Sequence, residues 1–271
     1  MAPFETRKLM AHNTATTSQN KIHDDDVAKR FGFTGGLVPG VDVYAYLSQP
    51  VAAAWGTDWL ERGSLQGRFV KPVYEGEEIE VVPGPEVEDD GGRTVSLEIR
   101  NPAGERCAEG SARLSATAPA GVDISAWPEV VQAAEPPAAS PASLAVGTAF
   151  GFADVGFHAD EAMSYLDDVR DPLPLYREER VAHPGWLLRL ANRVLATNVR
   201  LGPWIHVGSD TQHLGLLRDG ERVGARSLVT REWEKGGHRF VELDVLLARF
   251  SGDGGPIARI AHTAIYQPRG A

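Results

Sequence analysis

The chain of 271 residues reads as an α+β protein assembled in tandem, two units that each wrap an antiparallel sheet round a buried helix. Three observations predict this. The apolar run Val41, Val43, Tyr44, Ala45, Leu47 has no amphipathic stripe, as expected of a helix covered on most sides. Strand-like stretches separated by turn residues follow it, with Val95, Leu97 and Ile99 alternating against Ser96, Glu98 and Arg100, which gives a sheet one covered face. The second half of the chain then repeats the first.

In chain order, a polar loop delivers His23. The next residues run from acidic (Asp24, Asp25, Asp26) to basic (Lys29, Arg30), the charge order that a helix dipole favours, and predict a turn or two of helix. Phe31 to Gly36 makes a loop, and the long helix starts near Pro39, since proline suits a first helical turn and Asp42 complements its positive end. Trp55 and Trp59 continue it at helical spacing as packing residues. Strands are expected over Leu65 to Val73, Ile79 to Val82, Thr94 to Arg100 and Arg106 to Ala116, with turns at Glu75-Gly76, Asp89 to Gly92 and Pro102 to Gly104. Residues 117–147, rich in Ala and Pro and without periodicity, read as a linker over the surface between units 1–116 and 148–271.

The repeat rests on three blocks in the same order. Pro39-Gly40 before one buried helix matches Pro184-Gly185 before Trp186, Leu187, Leu188, Leu190, Ala191, Val194 and Leu195. Val73 to Ile79 matches Leu217 to Val223. Val95 to Ile99 matches Val241 to Val245, each after a Gly-Gly turn. An internal pseudo-dimer follows.

Composition narrows the function. With 27 basic and 37 acidic side chains the net charge of −10 opposes attraction to nucleic acid or an anionic membrane, and neither is an expected partner. Met1 to His12 holds no apolar segment of signal or membrane-span length, so a cytoplasmic location is expected. The single cysteine, Cys107, forms no intrachain disulfide and reads as a small packed residue. The chain carries no Gly-x-Ser-x-Gly elbow, P-loop, zincin helix or dinucleotide fingerprint, and no cofactor is expected. Asp24 to Asp26 beside His23 could ligate a metal, but a helix start accounts for those charges, and no metal site is assigned.

Asn20-Lys21-Ile22-His23, then Ala28 and Gly32-Phe33, then Val38-Pro39-Gly40 opening a buried helix, then Phe69-Val70-Lys71-Pro72-Val73-Tyr74-Glu75-Gly76-Glu77, resembles the MaoC-like family of hot dog fold enzymes, the (R)-specific enoyl-thioester hydratases and dehydratases. The resemblance implies a tandem (double) hot dog fold, association of two chains, and an acyl thioester of coenzyme A or acyl carrier protein as substrate. It also implies reversible hydration of a 2-enoyl group. The Gly40 amide at the helix start would bind the thioester carbonyl, with Val38 and Pro39 beside it, and glycine would let the acyl group approach the main chain. His23 would exchange a proton with water or a substrate hydroxyl, and Asn20 would hold that water or orient the imidazole.

The chain departs from the family at Ser18, which stands where the family has its catalytic aspartate, five residues before the histidine. Three outcomes stand: His23 works alone with Ser18 positioning water, a carboxylate such as Asp24, Asp167 or Asp168 substitutes, or only acyl binding is kept. A thioesterase, using Asp42 or Asp168 as its carboxylate, is the enzymatic alternative, and a non-catalytic acyl-thioester-binding subunit is the other. Counting 17 residues back from Gly40 gives His23, but from Gly185 gives Asp168, so one pocket per chain is expected, completed by the second half. His183 either faces that pocket or caps its helix. His206, His213, His238 and His262 read as incidental.

Overall fold

A computed structural model of the protein describes residues 4–250 and 254–270. The first half contributes strand β1 (Arg7–Met10), a short helix α1 (Asp25–Arg30), the long helix α2 (Gly40–Arg62), and strands β2 (Gly63–Phe69), β3 (Glu78–Asp89), β4 (Gly92–Arg100) and β5 (Arg106–Ser115). The second contributes β6 (Ala149–Gly156), α3 (Met163–Asp168), α4 (Leu175–Glu179), α5 (Pro184–Asn198), β7 (Ile205–His213), β8 (Arg222–Lys235), β9 (His238–Arg249) and β10 (Pro256–Gln267). The first half orders its strands β1-β3-β4-β5-β2, and the second repeats that order as β6-β8-β9-β10-β7. The two sheets expected from the sequence are joined into one ten-stranded antiparallel sheet, because the edge strands β2 and β7 pair from Ser64↔Gln212 to Arg68↔Gly208. Pairing satisfies the backbone groups that two free edges would leave open.

The sheet curves round α2 and α5, which pack against each other. Helix α2 buries Val41 to Ala52 without interruption, together with Trp55, Trp59 and Leu60, which accounts for its lack of an apolar stripe. Its partner α5 keeps a polar face. Val95, Leu97 and Ile99 of β4 lie in the core while Ser96 and Arg100 are exposed. Strand β3 runs through Pro83 and Pro85 beyond the residues that β1 covers, with a bulge between Pro83 and Glu86, so no ladder hydrogen bond to β1 is lost.

The repeat is corrected by one residue at the helix starts. The Val38 amide donates to the Val73 carbonyl and Leu37 bridges Tyr74; the Ala182 amide donates to the Leu217 carbonyl and Val181 bridges Arg218. Val38 therefore corresponds to Ala182, Pro39 to His183 and Gly40 to Pro184. Segment 117–147 is also more than a surface connector. Trp127 and Leu144 are buried, Trp127 Nε1 donates to the Asp244 carbonyl, and residues 137–139 are strapped to Arg200 by paired backbone hydrogen bonds.

Candidate functional site

The loop before α1 is built by local side-chain bonds. Asn20 caps a turn of 3₁₀ helix, Lys21–His23, by accepting from the Ile22 amide, and Asp24 caps α1 by accepting from the amides of Asp26 and Val27, each at 3.1 Å. Asn13 donates to the His23 carbonyl at 2.9 Å, and Asp25 accepts from the Gly36 amide at 2.7 Å. These bonds fold the loop over the start of α2.

His23 is mostly buried. Its Nδ1 lies 2.7 Å from the Leu37 carbonyl oxygen, which can only accept, so Nδ1 carries the proton and Nε2 of the neutral ring holds a lone pair. Burial lowers the His23 pKa below the ordinary histidine value, although the Leu37 hydrogen bond and the Asp42 charge oppose this. The ring is therefore neutral at pH 7 and its Nε2 can accept a proton. Asn20 Nδ2 faces that atom at 3.3 Å. The same amide grips the second half of the chain: Nδ2 donates to the Trp204 carbonyl at 2.9 Å, and Oδ1 accepts from the Trp204 amide at 3.1 Å. Ser18 Oγ accepts from the Asn20 amide at 3.1 Å and so shapes the turn.

Ser18, Asn20, His23, Pro39 and Val41 share one cleft of about 930 Å³ with Gln132, Ala133, Ala134 and Pro136, Trp204 and the polar face of α5. Helix α2 begins at its wall. Asp42 and Val43 donate to the Pro39 carbonyl, whereas the amides of Gly40 and Val41 have no acceptor among the described residues. Two unsatisfied N–H groups at the positive end of α2, which is helical from Gly40 to a kink at Gly56, make an anion-favouring position. What crowds Gly40 is protein: a Cβ there would lie 2.8 Å from His206 Nδ1 and 3.1 Å from the Phe69 ring. Val38 is buried behind the cleft.

The carboxylates considered from the sequence lie elsewhere. Asp24 caps α1, Asp167 pairs with Arg177 at 3.1 Å, and Asp168 ends α3; none lines the cleft. Asp42 is fully buried and held by Arg189 Nη2 at 2.8 Å and by Thr14 Oγ1 at 2.6 Å, so it is not free to act as a base. His183 caps its helix and does not line the cleft. Its Nδ1 accepts from the Gly185 amide at 2.9 Å and its Nε2 donates to the buried Asp171 carboxylate at 3.1 Å. Among the described residues no three His, Cys, Asp or Glu side chains converge as metal ligands would.

Two features escaped the sequence reading. One is the face of α5 turned to the cleft, Arg189, Asn192, Arg193, Ala196 and Thr197, with Arg200 just beyond the helix. Its three- and four-residue spacing is visible in the sequence but was obscured by the stronger apolar period. The other is a buried polar cluster among the histidines read as incidental: His206, His213 and His262 are buried, with Ser209 Oγ joining His206 Nε2 (2.8 Å) to His262 Nδ1 (3.0 Å).

No model of a known protein family matches the chain, and no curated sequence does. Solved structures do match. A MaoC domain protein dehydratase from Chloroflexus aurantiacus superposes with a TM-score of 0.65 at 14% identity, covering 100% of this chain and 97% of that one. A conserved hypothetical protein from Mycobacterium tuberculosis with a double hotdog fold gives 0.60 at 12% identity, covering 98% and 96%. An oleoyl thioesterase from Lactobacillus plantarum gives 0.53 at 11% identity, covering 99% of each chain. The chain has the double hot dog fold.

Proposed function

We propose that this double hot dog protein hydrates, reversibly, the double bond of a 2-enoyl thioester carried by coenzyme A or acyl carrier protein. The observation that supports the reading is one cleft lined by His23, whose neutral ring keeps a lone pair on Nε2, and by Pro39 and Val41 at the start of α2, where the Gly40 and Val41 amides are unsatisfied. With the thioester carbonyl at those amides, negative charge developing on its oxygen is stabilised by the N–H groups of Gly40 and Val41 and by the helix dipole. His23 Nε2 takes a proton from water, the hydroxyl bonds to C3, and the π electrons move through C2 to the carbonyl oxygen as an enolate. The imidazolium then returns the proton to C2, so water is added with no proton left over. Asn20 donates one Nδ2 hydrogen to the Trp204 carbonyl, and its other, directed at His23 Nε2 without substrate, turns to the hydroxyl once Nε2 takes the proton.

The cleft has no carboxylate among its lining residues, so His23 works alone in this reading. The same observation favours a second reading, acyl-thioester binding without turnover. A thioesterase has less support, because Asp42 is committed to Arg189.

The test follows the ultraviolet absorbance of the conjugated enoyl thioester, with free thiol measured in parallel. Hydration by the native chain that falls about 10²–10⁴-fold in His23→Ala supports the proposal. Unchanged absorbance with a ligand shown to bind leaves the binding reading, and release of free thiol instead establishes the thioesterase.

A further inference from the structure

The first turn of α2 carries an anion of its own. Asp42 directly follows Gly40 and Val41 and is fully buried, so its carboxylate belongs to the same helical turn as the two amides assigned to the thioester carbonyl. A negative charge held there opposes a second one developing beside it. The carboxylate is answered from the other half of the chain. Arg189 of α5 donates to Asp42 Oδ1 from Nε at 3.2 Å and from Nη2 at 2.8 Å. The same Nη2 donates to Thr14 Oγ1 at 2.9 Å, and that hydroxyl donates to Asp42 Oδ2 at 2.6 Å. Arg189 and Thr14 both line the cleft, whereas Asp42 has no exposed surface. The cleft therefore meets a guanidinium and a hydroxyl where it would otherwise meet a carboxylate. Stacking fixes the guanidinium further, 4.4 Å from the centroid of the Tyr165 ring.

We propose that Arg189 is a positioning residue for the hydration: it neutralises Asp42 so that the Gly40 and Val41 amides can hold the enolate oxygen. The inference rests on the hydratase reading and gives a part to a residue which that reading leaves unused. Arg189 acts through Asp42 and not on the reacting atoms. Its fork of donors, brought by α5 to the start of α2, makes the electrostatics of the site depend on the packing of one half against the other. Asp42 acts on His23 as well, where its charge favours the imidazolium. Without Arg189 the carboxylate would hold the proton on His23 more tightly and at the same time oppose the enolate, a combination that a simple loss of packing does not produce. The other groups that feel the Asp42 charge are Tyr46 of α2 and Tyr165 of α3, and Asp168 at the end of α3 acts on Arg189. His23 is faced besides by Asn20 and the Leu37 carbonyl. Among these described residues Arg189 supplies the positive charge.

The experiment compares the full chain with Arg189→Gln, Arg189→Lys, Asp42→Asn and the double variant Asp42→Asn/Arg189→Gln. It follows kcat and the pH profile of kcat/KM with an enoyl thioester, and the affinity for the corresponding saturated acyl thioester. In Arg189→Gln kcat should fall by about 10–100-fold while the acid limb of kcat/KM, set by His23, moves to higher pH. Arg189→Lys keeps the charge and should restore most of kcat; the double variant removes both charges and should restore kcat and return the limb. A loss in Arg189→Gln that the double variant does not reverse, or a limb that stays in place, overturns the inference and leaves the hydratase reading intact. Should Arg189→Gln fail to fold, Asp42→Asn decides: a limb moved to lower pH supports the inference, and an unmoved limb overturns it. Absence of turnover by the native chain removes the hydratase reading alone. The part assigned to Arg189 then stands if the saturated thioester binds about tenfold more weakly to Arg189→Gln and recovers in the double variant, and falls if native chain and variant bind it equally.

Discussion

The two long helices of the tandem begin in equivalent places and end up chemically opposed. At the start of α2 the first helical residue is Gly40, the next is Val41, which lines a cleft, and neither amide has an acceptor among the described residues. At the start of α5 the first residue is Pro184, which has no N–H, and the amide of the second, Gly185, is taken by His183. His183 is locked in turn by Asp171 and ringed by Tyr165 and Tyr176. One half leaves the amides of its helix terminus unsatisfied, and the other caps the same position with its own side chain. A duplicated fold needs only one exposed terminus, and sealing the second removes two unsatisfied donors from the core.

The largest stability effect separating the two ends is expected at the plug. His183→Ala leaves the Asp171 carboxylate buried without its partner and should destabilise the protein by about 3–5 kcal/mol, measured by urea unfolding. His23→Ala should change activity far more than stability, so a variant at either position that moves both equally would dissolve the distinction.

Acid separates the buried histidines of the sheet from His23 of the cleft. Burial drives the pKa of His213 down to about 4 and that of His262 down to about 3, and burial beside His262 lowers that of His206 well below the ordinary range. Unfolded histidines bind protons below roughly pH 6.5 whereas these remain neutral, so their contribution is complete above that pH and is lost as the pH falls toward 4. Unfolding free energy should drop between pH 7 and pH 5 by about 2 kcal/mol for each of His213 and His262. His23 belongs to the cleft and should appear instead in the pH profile of kcat/KM, as a loss of activity on its protonation below the ordinary histidine range.

A smaller effect is expected from Gly185→Ala. The added Cβ would meet Tyr165 Oη at 2.1 Å and Ala45 Cβ at 2.8 Å, a direct clash between α5, the α3 segment and α2. A loss of about 1–3 kcal/mol in thermal or urea unfolding is expected, with the cleft chemistry retained in the folded fraction.

Much of this architecture is legible in the residues. Alternation in β4, the stripe-free run of α2 and the acidic-to-basic order of α1 are local patterns, and each corresponds to its element because propensity and burial agree there. The β2–β7 seam was not legible, since it pairs strands far apart in sequence and merges two expected sheets. The one-residue offset of the repeat was hidden by Pro-Gly in both halves, where the glycine near α2 is crowded by His206 and the glycine near α5 by Tyr165. Asn20 and His23 could be selected by motif, but the clamp of Asn20 on Trp204 depends on a contact 184 residues away. The arginine wall was periodic in the sequence, yet only packing of the 132–136 segment against α5 turns that face into one side of a cleft.

The most direct test of the open-and-plugged account is the backbone amide spectrum of the ¹⁵N-labelled protein, titrated with a saturated acyl thioester that binds without reacting. The amides of Gly40 and Val41 should shift strongly and in proportion to occupancy, while that of Gly185 stays in place. Large shifts at Gly185 with Gly40 and Val41 unmoved would contradict the account, because the ligand would then be held at the end assigned here as sealed.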